Sequence, residues 1–357
     1  MILLGSTGSI GVNTLKLAKK FALHVETLVA GKNIDLLNTQ IEEFHPKYVC
    51  VSEKDSKDRV KHDRVFVGTE GILEVISRSQ SDLVVNALVG FAGLAPSIKT
   101  QELGKKLALA NKESLVVAGN LLDTDKIIPI DSEHFGLKYL LNGKKVASMT
   151  ITASGGSFRD VPLEKLSGMS VAQALNHPNW SMGKKITIDS ATMTNKIFEL
   201  LEAKWLYGCQ NLDAIIETKS IIHAFVSFID GSTTAHFANA DMKLPISFAL
   251  KGDIQEEILP HVNLLEIGNL EFREIEEARY PMWELREDIL KNPQLGVVLN
   301  AANEISVAKF LNNEINILDI AKINKKAYSY FEAVKPINLD DIFEIDKEVR
   351  KFSKGDL

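Results

Sequence analysis

Ile2-Leu3-Leu4-Gly5-Ser6-Thr7-Gly8-Ser9-Ile10-Gly11 is the stretch on which the fold turns. The apolar triplet has the length of a short buried strand, and residues 10–20 repeat their apolar positions at helical spacing. The three glycines therefore lie at a strand-to-helix junction. Glycine allows the tight turn there and the close approach of backbone, while the helix N-terminus presents N–H groups and a positive dipole end suited to a pyrophosphate. The spacing is G-x-x-G-x-x-G rather than the commoner G-x-G-x-x-G. Its place at the first βα junction carries more weight than the glycines alone.

Working outward, short apolar runs at 2–4, 25–30, 48–51, 65–67, 83–87, 107–110 and 127–130 alternate with amphipathic segments such as 10–20 and 71–79. That rhythm predicts an α/β domain over residues 1–130, a Rossmann-like doubly wound parallel sheet. Beyond Asp131 it changes. Residues 146–153 read as a strand, 154–190 as loop, and 191–206 as a helix with Met193, Ile197, Leu200, Leu201 and Trp205 at core spacing. Asp230-Gly231 between two apolar runs is a hairpin signal, expected in type I′ geometry, so the parallel pattern gives way to antiparallel sheet. We expect an α+β domain over 131–250, a linker over 251–280 and a C-terminal helical domain over 281–357, with 297–312 its clearest helix.

Bulk properties exclude several classes. At 357 residues the chain exceeds one ordinary core. A hydrophobic share of 45%, a charged share of 25% and a net charge of -6 suit a globular protein, and no basic block marks a nucleic-acid surface. No apolar run approaches the roughly 18 residues that span a bilayer, and no leader is visible before the first strand, so a cytoplasmic protein without a membrane partner is expected. Only Cys50 and Cys209 occur, and both, like His223, sit in apolar surroundings that suggest core positions.

Candidate ligands cluster where strands end. After the second strand comes Gly31-Lys32-Asn33, where an acid would bind the ribose 2′-hydroxyl of NAD; a lysine instead suits a 2′-phosphate, which points to NADPH. Asn111-Lys112-Glu113 follows the run 107–110, and Asp131-Ser132-Glu133 follows the next. If residues 131 and 133 continue a strand, both carboxylates face one side, and oxygen ligands without His or Cys favour Mg²⁺ or Mn²⁺ over Zn²⁺. Asn195, Lys196 and Glu199 share one helix face, suiting a phosphate or sugar hydroxyls and a cation, with Ser190 expected near that helix start. Ser154-Gly155-Gly156-Ser157 can form an anion nest, and 177–185, bearing Trp180 and Met182 among turn formers, suggests a lid with an exposed Trp.

Gly5–Gly11, Leu109-Ala-Asn-Lys-Glu-Ser114, Asp131-Ser-Glu-His134, His177-Pro-Asn-Trp-Ser-Met-Gly183, Asp189-Ser-Ala-Thr-Met193 and Asn300-Ala-Ala-Asn-Glu304, in that order, closely resemble the 1-deoxy-D-xylulose 5-phosphate reductoisomerases. The match runs from Leu3 to beyond Glu304. The resemblance implies conversion of 1-deoxy-D-xylulose 5-phosphate to 2-C-methyl-D-erythritol 4-phosphate in the non-mevalonate isoprenoid route. It implies Thr7, Gly8, Ser9, Ile10, Gly31, Lys32, Asn33, Asn111, Glu113 and Gly183 around NADPH. Asp131, Glu133 and Glu199 would hold Mg²⁺ or Mn²⁺, with Co²⁺ a third candidate, and Lys112, Ser132, Glu133, Ser154, His177, Ser190, Asn195, Lys196 and Glu199 would meet substrate. Lys112, Glu133 and His177 are the catalytic candidates, Lys112 and Glu133 the better ones for moving a proton. A homodimer through the central domain's sheet is also implied. Two departures stand out: Ser157 where the family usually has proline, and Thr194 where it usually has methionine. The first is expected to loosen the nest, since proline would fix φ.

The chemistry expected is polarisation of the ketone and an adjacent hydroxyl by the cation, rearrangement by retro-aldol cleavage and re-addition, then hydride transfer from NADPH. Two other readings are a metal- and NADP-dependent oxidoreductase that leaves the carbon skeleton intact, distinguished by its product, and a nucleotide-sensing regulator, which has no need of three carboxylates beside a phosphate-binding helix.

Overall fold

The computed structural model describes residues 1–355, which pack as two compact units. The first comprises Met1–Ser114, Leu122–Ser132 and Asp241–Leu259. Its strands are β1 (Ile2–Leu4), β2 (Thr27–Ala30), β3 (Tyr48–Val51), β4 (Val65–Val67), β5 (Leu83–Asn86), β6 (Lys106–Leu109) and β7 (Ile127–Pro129). They are linked by α1 (Ser9–Lys20), α2 (Ile34–Phe44), α3 (Gly68–Arg78), α4 (Leu94–Glu102) and α5 (Lys112–Ala118). The strands form one all-parallel sheet in the order β4-β3-β2-β1-β5-β6-β7.

Both faces of that sheet are covered, which is why its strands read as continuous apolar runs. Leu3, Leu28, Val49, Val85 and Ala108 share a core with Leu15 and Leu17 of α1 and Leu37 and Ile41 of α2. Ile2, Leu4, Val29, Cys50 and Val84 share the opposite core with Ile72, Val75 and Ile76 of α3. The alternation within β1, Leu3 to one side and its neighbours to the other, makes it the hub of both cores, each side chain contributing about 1.5–3 kcal/mol of burial. Strand order reverses between β1 and β5, and the crevice beyond the carboxyl ends of strands at such a point is where open α/β sheets take ligands.

The second unit comprises Leu115–Leu121, Glu133–Ala240 and Pro260–Leu357. In chain order it carries α6 (Ser132–Leu140), β8 (Val146–Ala153), α7 (Val171–Ala174), α8 (Lys184–Ala191), α9 (Thr194–Tyr207), β9 (Leu212–Glu217), β10 (Ile222–Phe228) and β11 (Thr233–Phe237). The helix α10 (Lys243–Lys251) returns to the first unit, adding Ile246 and Ala249 to its core. Then follow α11 (Leu264–Ile267), β12 (Phe272–Arg273), α12 (Arg286–Lys291), α13 (Gly296–Leu311), α14 (Ile317–Tyr330) and α15 (Leu339–Lys354). The five-stranded sheet runs β11-β10-β8-β9-β12. Phe158, Leu166, Ala174, Ile188 and Ala191 pack against Val307, Phe310, Ile317 and Ile320 of α13 and α14.

Several expectations change. The second sheet is mixed, because β8 and β9 pair in parallel. The expected linker contributes α11 and β12, the latter pairing with β9. The Asp230-Gly231 turn is not type I′: Gly231 alone has positive φ, at 86°, and its N–H donates to Phe228 O while Phe228 N–H donates to Ser232 O. That is a type I turn closed by a left-handed glycine, the usual geometry of a longer hairpin loop. Cys50 is buried, and burial pushes its thiol up to about 12, but Cys209 is half-exposed and no core residue.

Candidate active site

The glycine turn wraps the end of β1. Gly5 N–H and Ser6 N–H both donate to Val29 O at 2.8 Å. A side chain on Gly5, whose φ is +87°, would meet Ala87 O at 2.4 Å, and one on Gly11 would meet Gly5 O at 2.2 Å. Those two glycines are structural necessities of the turn. Gly8 differs: only Gly5 O lies near its would-be Cβ, at 3.5 Å, and it begins α1 with no side-chain cap. The first-turn N–H groups of α1 therefore lack a side-chain acceptor, which is the requirement for a diphosphate cradle. Thr7 and Ile10 are half-buried beside the exposed Gly8 and Ser9. At the end of β2, Asn33 caps α2 by accepting from Leu36 N, and the exposed Lys32 ammonium lies 3.2 Å from Glu53. Glu53, which follows β3, is thus the ion-pair partner of Lys32 in this structure, a neighbour that sequence order concealed.

Asn111 is 1% exposed, and its amide hydrogens go to Leu88 O, Gly90 O and Glu113 Oε2, which ties the end of β6 to the loop after β5. Lys112 begins α5, and its ammonium sits 3.1 Å from Asp131 Oδ2.

Asp131, Glu133 and Glu199 each bring a carboxylate oxygen to within 4.8 Å of the others. The route differs from the one expected. Strand β7 stops at Pro129 and Ser132 already belongs to α6, so Asp131 and Glu133 converge across a strand-to-helix turn rather than by strand alternation. Glu199 comes from α9 and is 1% exposed. Lys196 Nζ bridges Glu133 Oε1 at 2.8 Å and Glu199 Oε2 at 2.5 Å and donates to Thr152 O, while Asn195 Nδ2 donates to the other Glu199 oxygen. Asn195, Lys196 and Glu199 form no solvated helix face. Two carboxylates this deep need cations or strong donors around them.

Ser154, His177 and Ser190 meet. His177 Nε2 lies 2.9 Å from Ser154 Oγ and 3.2 Å from Ser190 Oγ. Its Nδ1 accepts from Asn179 N and Trp180 N, so the ring proton resides on Nε2. Burial, then the charges of Arg159 and Lys196, lower its pKa to about 4. His177 is accordingly a neutral N–H donor aimed at the two hydroxyls, a poor proton shuttle near neutral pH. Trp180 is half-buried rather than exposed, its ring set edge-on to His223 at 6.1 Å.

Ser190 does not stand near a helix start. It lies in the last turn of α8, and the helix expected over 191–206 begins only at Thr194. Met193, with φ 66°, breaks the two helices apart, and Thr192 Oγ1 bonds back to Ile188 O. Thr194 is fully buried, with its hydroxyl 2.9 Å from that of Thr192. Gly155 and Gly156 both take positive φ, and Gly156 N–H donates to Ser154 Oγ. The Ser157 hydroxyl donates to Ala174 O at 2.6 Å, tethering the loop to α7 where proline would have stiffened it. The exposed Gly183 precedes α8.

Residues not singled out from sequence hold this cradle from behind. Arg159 Nη1 donates to Ser154 O and Thr218 O, Tyr280 Oη to Gly155 O, and Arg279 Nη1 to Phe158 O and Val161 O. With its carbonyls held on that side, the segment is shaped by groups from about 120 residues downstream. No local pattern signals such partners.

A glycine turn on a doubly wound sheet, three carboxylates close enough to share a hard cation, and two serine hydroxyls around a neutral histidine are features that suit a metal-assisted, NADPH-dependent oxidoreductase. Family models narrow the class: residues 1–119 match 1-deoxy-D-xylulose 5-phosphate reductoisomerase, 127–207 its C-terminal domain, and 237–352 the DXP reductoisomerase C-terminal domain. The chain is 55% identical to the 1-deoxy-D-xylulose 5-phosphate reductoisomerase of Nautilia profundicola, over 99% of each chain. It is 54% identical to that of Campylobacter hominis, over 100% of this chain and 99% of that one. Among solved structures, a DOX-P reductoisomerase in complex with NADPH, fosmidomycin and magnesium superposes with a TM-score of 0.94 at 33% identity, covering 99% of this chain and 97% of that one. The Zymomonas mobilis enzyme in complex with NADPH gives 0.89 at 32%, with the same coverage. The chain belongs to the 1-deoxy-D-xylulose 5-phosphate reductoisomerase family.

Proposed function

We infer that this chain converts 1-deoxy-D-xylulose 5-phosphate to 2-C-methyl-D-erythritol 4-phosphate with NADPH and a divalent cation, and that Asp131, Glu133 and Glu199 hold the cation. The observation that carries the assignment is the convergence of those three carboxylates, two of them in contact with Lys196. The donor set is oxygen only, which suits Mg²⁺ or Mn²⁺, and Co²⁺ less well. When bound, the cation polarises the ketone and an adjacent hydroxyl, and NADPH supplies the hydride.

The side chains supply the rest. Thr7, Gly8, Ser9 and Ile10 form the diphosphate turn, and Gly31, Lys32 and Asn33 lie where the 2′-phosphate would bind. Asn111 positions Glu113 and the loop beyond β5, and Asn111, Glu113 and Gly183 are assigned to the nucleotide. Ser154, Ser190 and His177 donate hydrogen bonds to the substrate phosphate, with Asn195 and Lys196 completing the anion site. Holding the phosphate far from the reacting carbons orients them and helps residues 177–185 close over them. Lys112, paired with Asp131, and Ser132 are assigned to the sugar hydroxyls. Lys112 and Glu133 are assigned to hold or move a proton at those oxygens.

Residues 1–130 would serve the nucleotide, 131–250 the chemistry and 281–357 the buttress, with 251–280 between. We further propose a homodimer formed at the edge strand β11, which has only β10 beside it in the sheet, and a cytoplasmic location. No helix among the described residues is long and apolar enough to cross a membrane. Sedimentation equilibrium at twice the 39.5 kDa chain mass would support the first; recovery in the membrane fraction would contradict the second.

The test of the reading is an NADPH oxidation assay. Turnover should require both the sugar phosphate and the cation, and Ser190→Ala should raise the sugar phosphate KM. Cation-independent turnover, or an unchanged KM, would count against it.

A further inference from the structure

The C-terminal helix α13 reaches the phosphate cradle through one buried carboxylate. Asp189, directly before Ser190, is 2% exposed. Lys185 Nζ, one turn earlier in α8, donates to its Oδ2 at 2.8 Å, and Asn303 Nδ2 of α13 donates to its Oδ1 at 2.7 Å. Asn303 is itself held: Asn324 Nδ2 of α14 donates to Asn303 Oδ1 at 3.0 Å, and Ser306 Oγ donates to Asn324 Oδ1 at 2.9 Å. Asn303, Ser306 and Asn324 are all fully buried. The Asn303 amide is therefore fixed in orientation, since its oxygen is occupied by a donor and its nitrogen faces a carboxylate.

Such a network is costly to bury and weak as a device for stability alone, because apolar side chains of similar volume fill the same space at least as well. Its value lies in geometry. Helix α8 has eight residues, no side-chain N-cap and a left-handed break two residues after its end, so it does not define its own position. Ile188 and Ala191 share an apolar cluster with Val307 and Phe310, a contact with no directional bond in it. The Asp189–Asn303 bond is directional and fixes the register of the turn carrying Ser190, whose hydroxyl must meet His177 at 3.2 Å.

We propose that Asn303 is a positioning residue for substrate: through Asp189 it sets Ser190 against Ser154 and His177 and thereby controls affinity for the phosphate group. This rests on the assignment of Ser190 to that phosphate. Asn303→Leu keeps the volume and removes the donor. It should raise the KM for 1-deoxy-D-xylulose 5-phosphate about tenfold or more, leaving kcat within about threefold and both NADPH KM and Mn²⁺ affinity unchanged. Asn303→Ser, a milder loss of reach, should give a smaller change of the same pattern should the leucine variant not fold. The exchange Asp189→Asn with Asn303→Asp retains one donor and one carboxylate and should recover most of the substrate KM lost in Asn303→Asp alone. An unchanged substrate KM in folded Asn303 variants, an equal loss in substrate and NADPH KM, or no recovery on exchange would overturn the proposal. Ser190→Ala, measured alongside, separates the two levels. A raised KM there with none in the Asn303 variants overturns this inference alone, whereas no change in Ser190→Ala removes the phosphate assignment beneath it.

Discussion

His177 shows how much of a residue's role depends on its surroundings. Its chain position beside Pro178 and Trp180 marked a ligand-binding loop, but the ring's protonation state follows from its burial first, then from the charges of Arg159 and Lys196, with Asn179 N and Trp180 N fixing the tautomer, which no local pattern reveals. With its pKa near 4, the acidic limb of the rate profile should contain no ionisation of His177 near 6.5, and His177→Asn should raise the substrate KM without moving that limb. Glu133→Gln removes a charge from the carboxylate set; we expect a loss of about 10²-fold or more in kcat/KM and weaker Mn²⁺ binding by titration calorimetry. Lys32→Asp is expected to raise the NADPH KM at least about tenfold and leave that for NADH nearly unchanged, as Lys32 and Glu53 are both exposed and their ion pair is worth little. An unaltered coenzyme preference would remove Lys32 from the 2′-phosphate site. Of the proposed ligand residues, Lys112, Ser132 and Ser154 stand out in the sequence because they follow a strand or open a helix, whereas Ser190 and Glu199 lie within helices and rest on the resemblance and the fold. Arg159, Tyr280 and Asn303 were not legible there, because Arg159 links Ser154 O to the distant Thr218 O, and Tyr280 and Asn303 act on backbone or buried groups more than 100 residues away.

At the level of elements, strands fully buried in the parallel sheet announced themselves by apolar runs, within a residue or two at their ends. Junctions did not. The periodicity of 191–206 gave no sign that Met193 would take a left-handed conformation, since the Thr192 and Thr194 hydroxyls that support the break satisfy local groups instead. The Asp131–Glu133 turn failed to be a strand for a similar reason: Pro129 ends the ladder and Ser132 opens a helix. The sharpest test at this scale is Gly156→Ala. With φ at +68° and a new Cβ 2.7 Å from both Ser190 O and Ala191 Cα, it must push the cradle loop away from α8. We expect a loss of about 1–3 kcal/mol in unfolding free energy and a raised substrate KM, read by thermal melts and steady-state kinetics.

Across the whole molecule, the two units divide the chain differently from its linear order. Helix α10 returns to the sheet unit, and the segment expected as linker lends Arg273, Arg279 and Tyr280 to the catalytic one. Contacts of such sequence separation leave no periodic signal. Buried neutral histidines add a property of the folded state as a whole. His177 and His236 both titrate near 4, His236 through burial and then the neighbouring His223. In the unfolded chain both would bind protons near 6.5, so between these values the unfolded state holds more protons and stability rises with pH. Their contribution is complete above about pH 6.5 and is lost as pH falls toward 4; melting temperature should drop over that window, and His236→Phe should flatten the drop.

What unites turn, carboxylates and cradle is a reaction that both rearranges and reduces. Its most direct measurement is the carbon skeleton of the product formed from ¹³C-labelled 1-deoxy-D-xylulose 5-phosphate with NADPH and Mn²⁺, followed by NMR. We expect one branched 2-C-methyl-D-erythritol 4-phosphate for each NADPH oxidised. An unbranched reduced sugar phosphate, or NADPH oxidised without a product of that skeleton, would contradict the assignment.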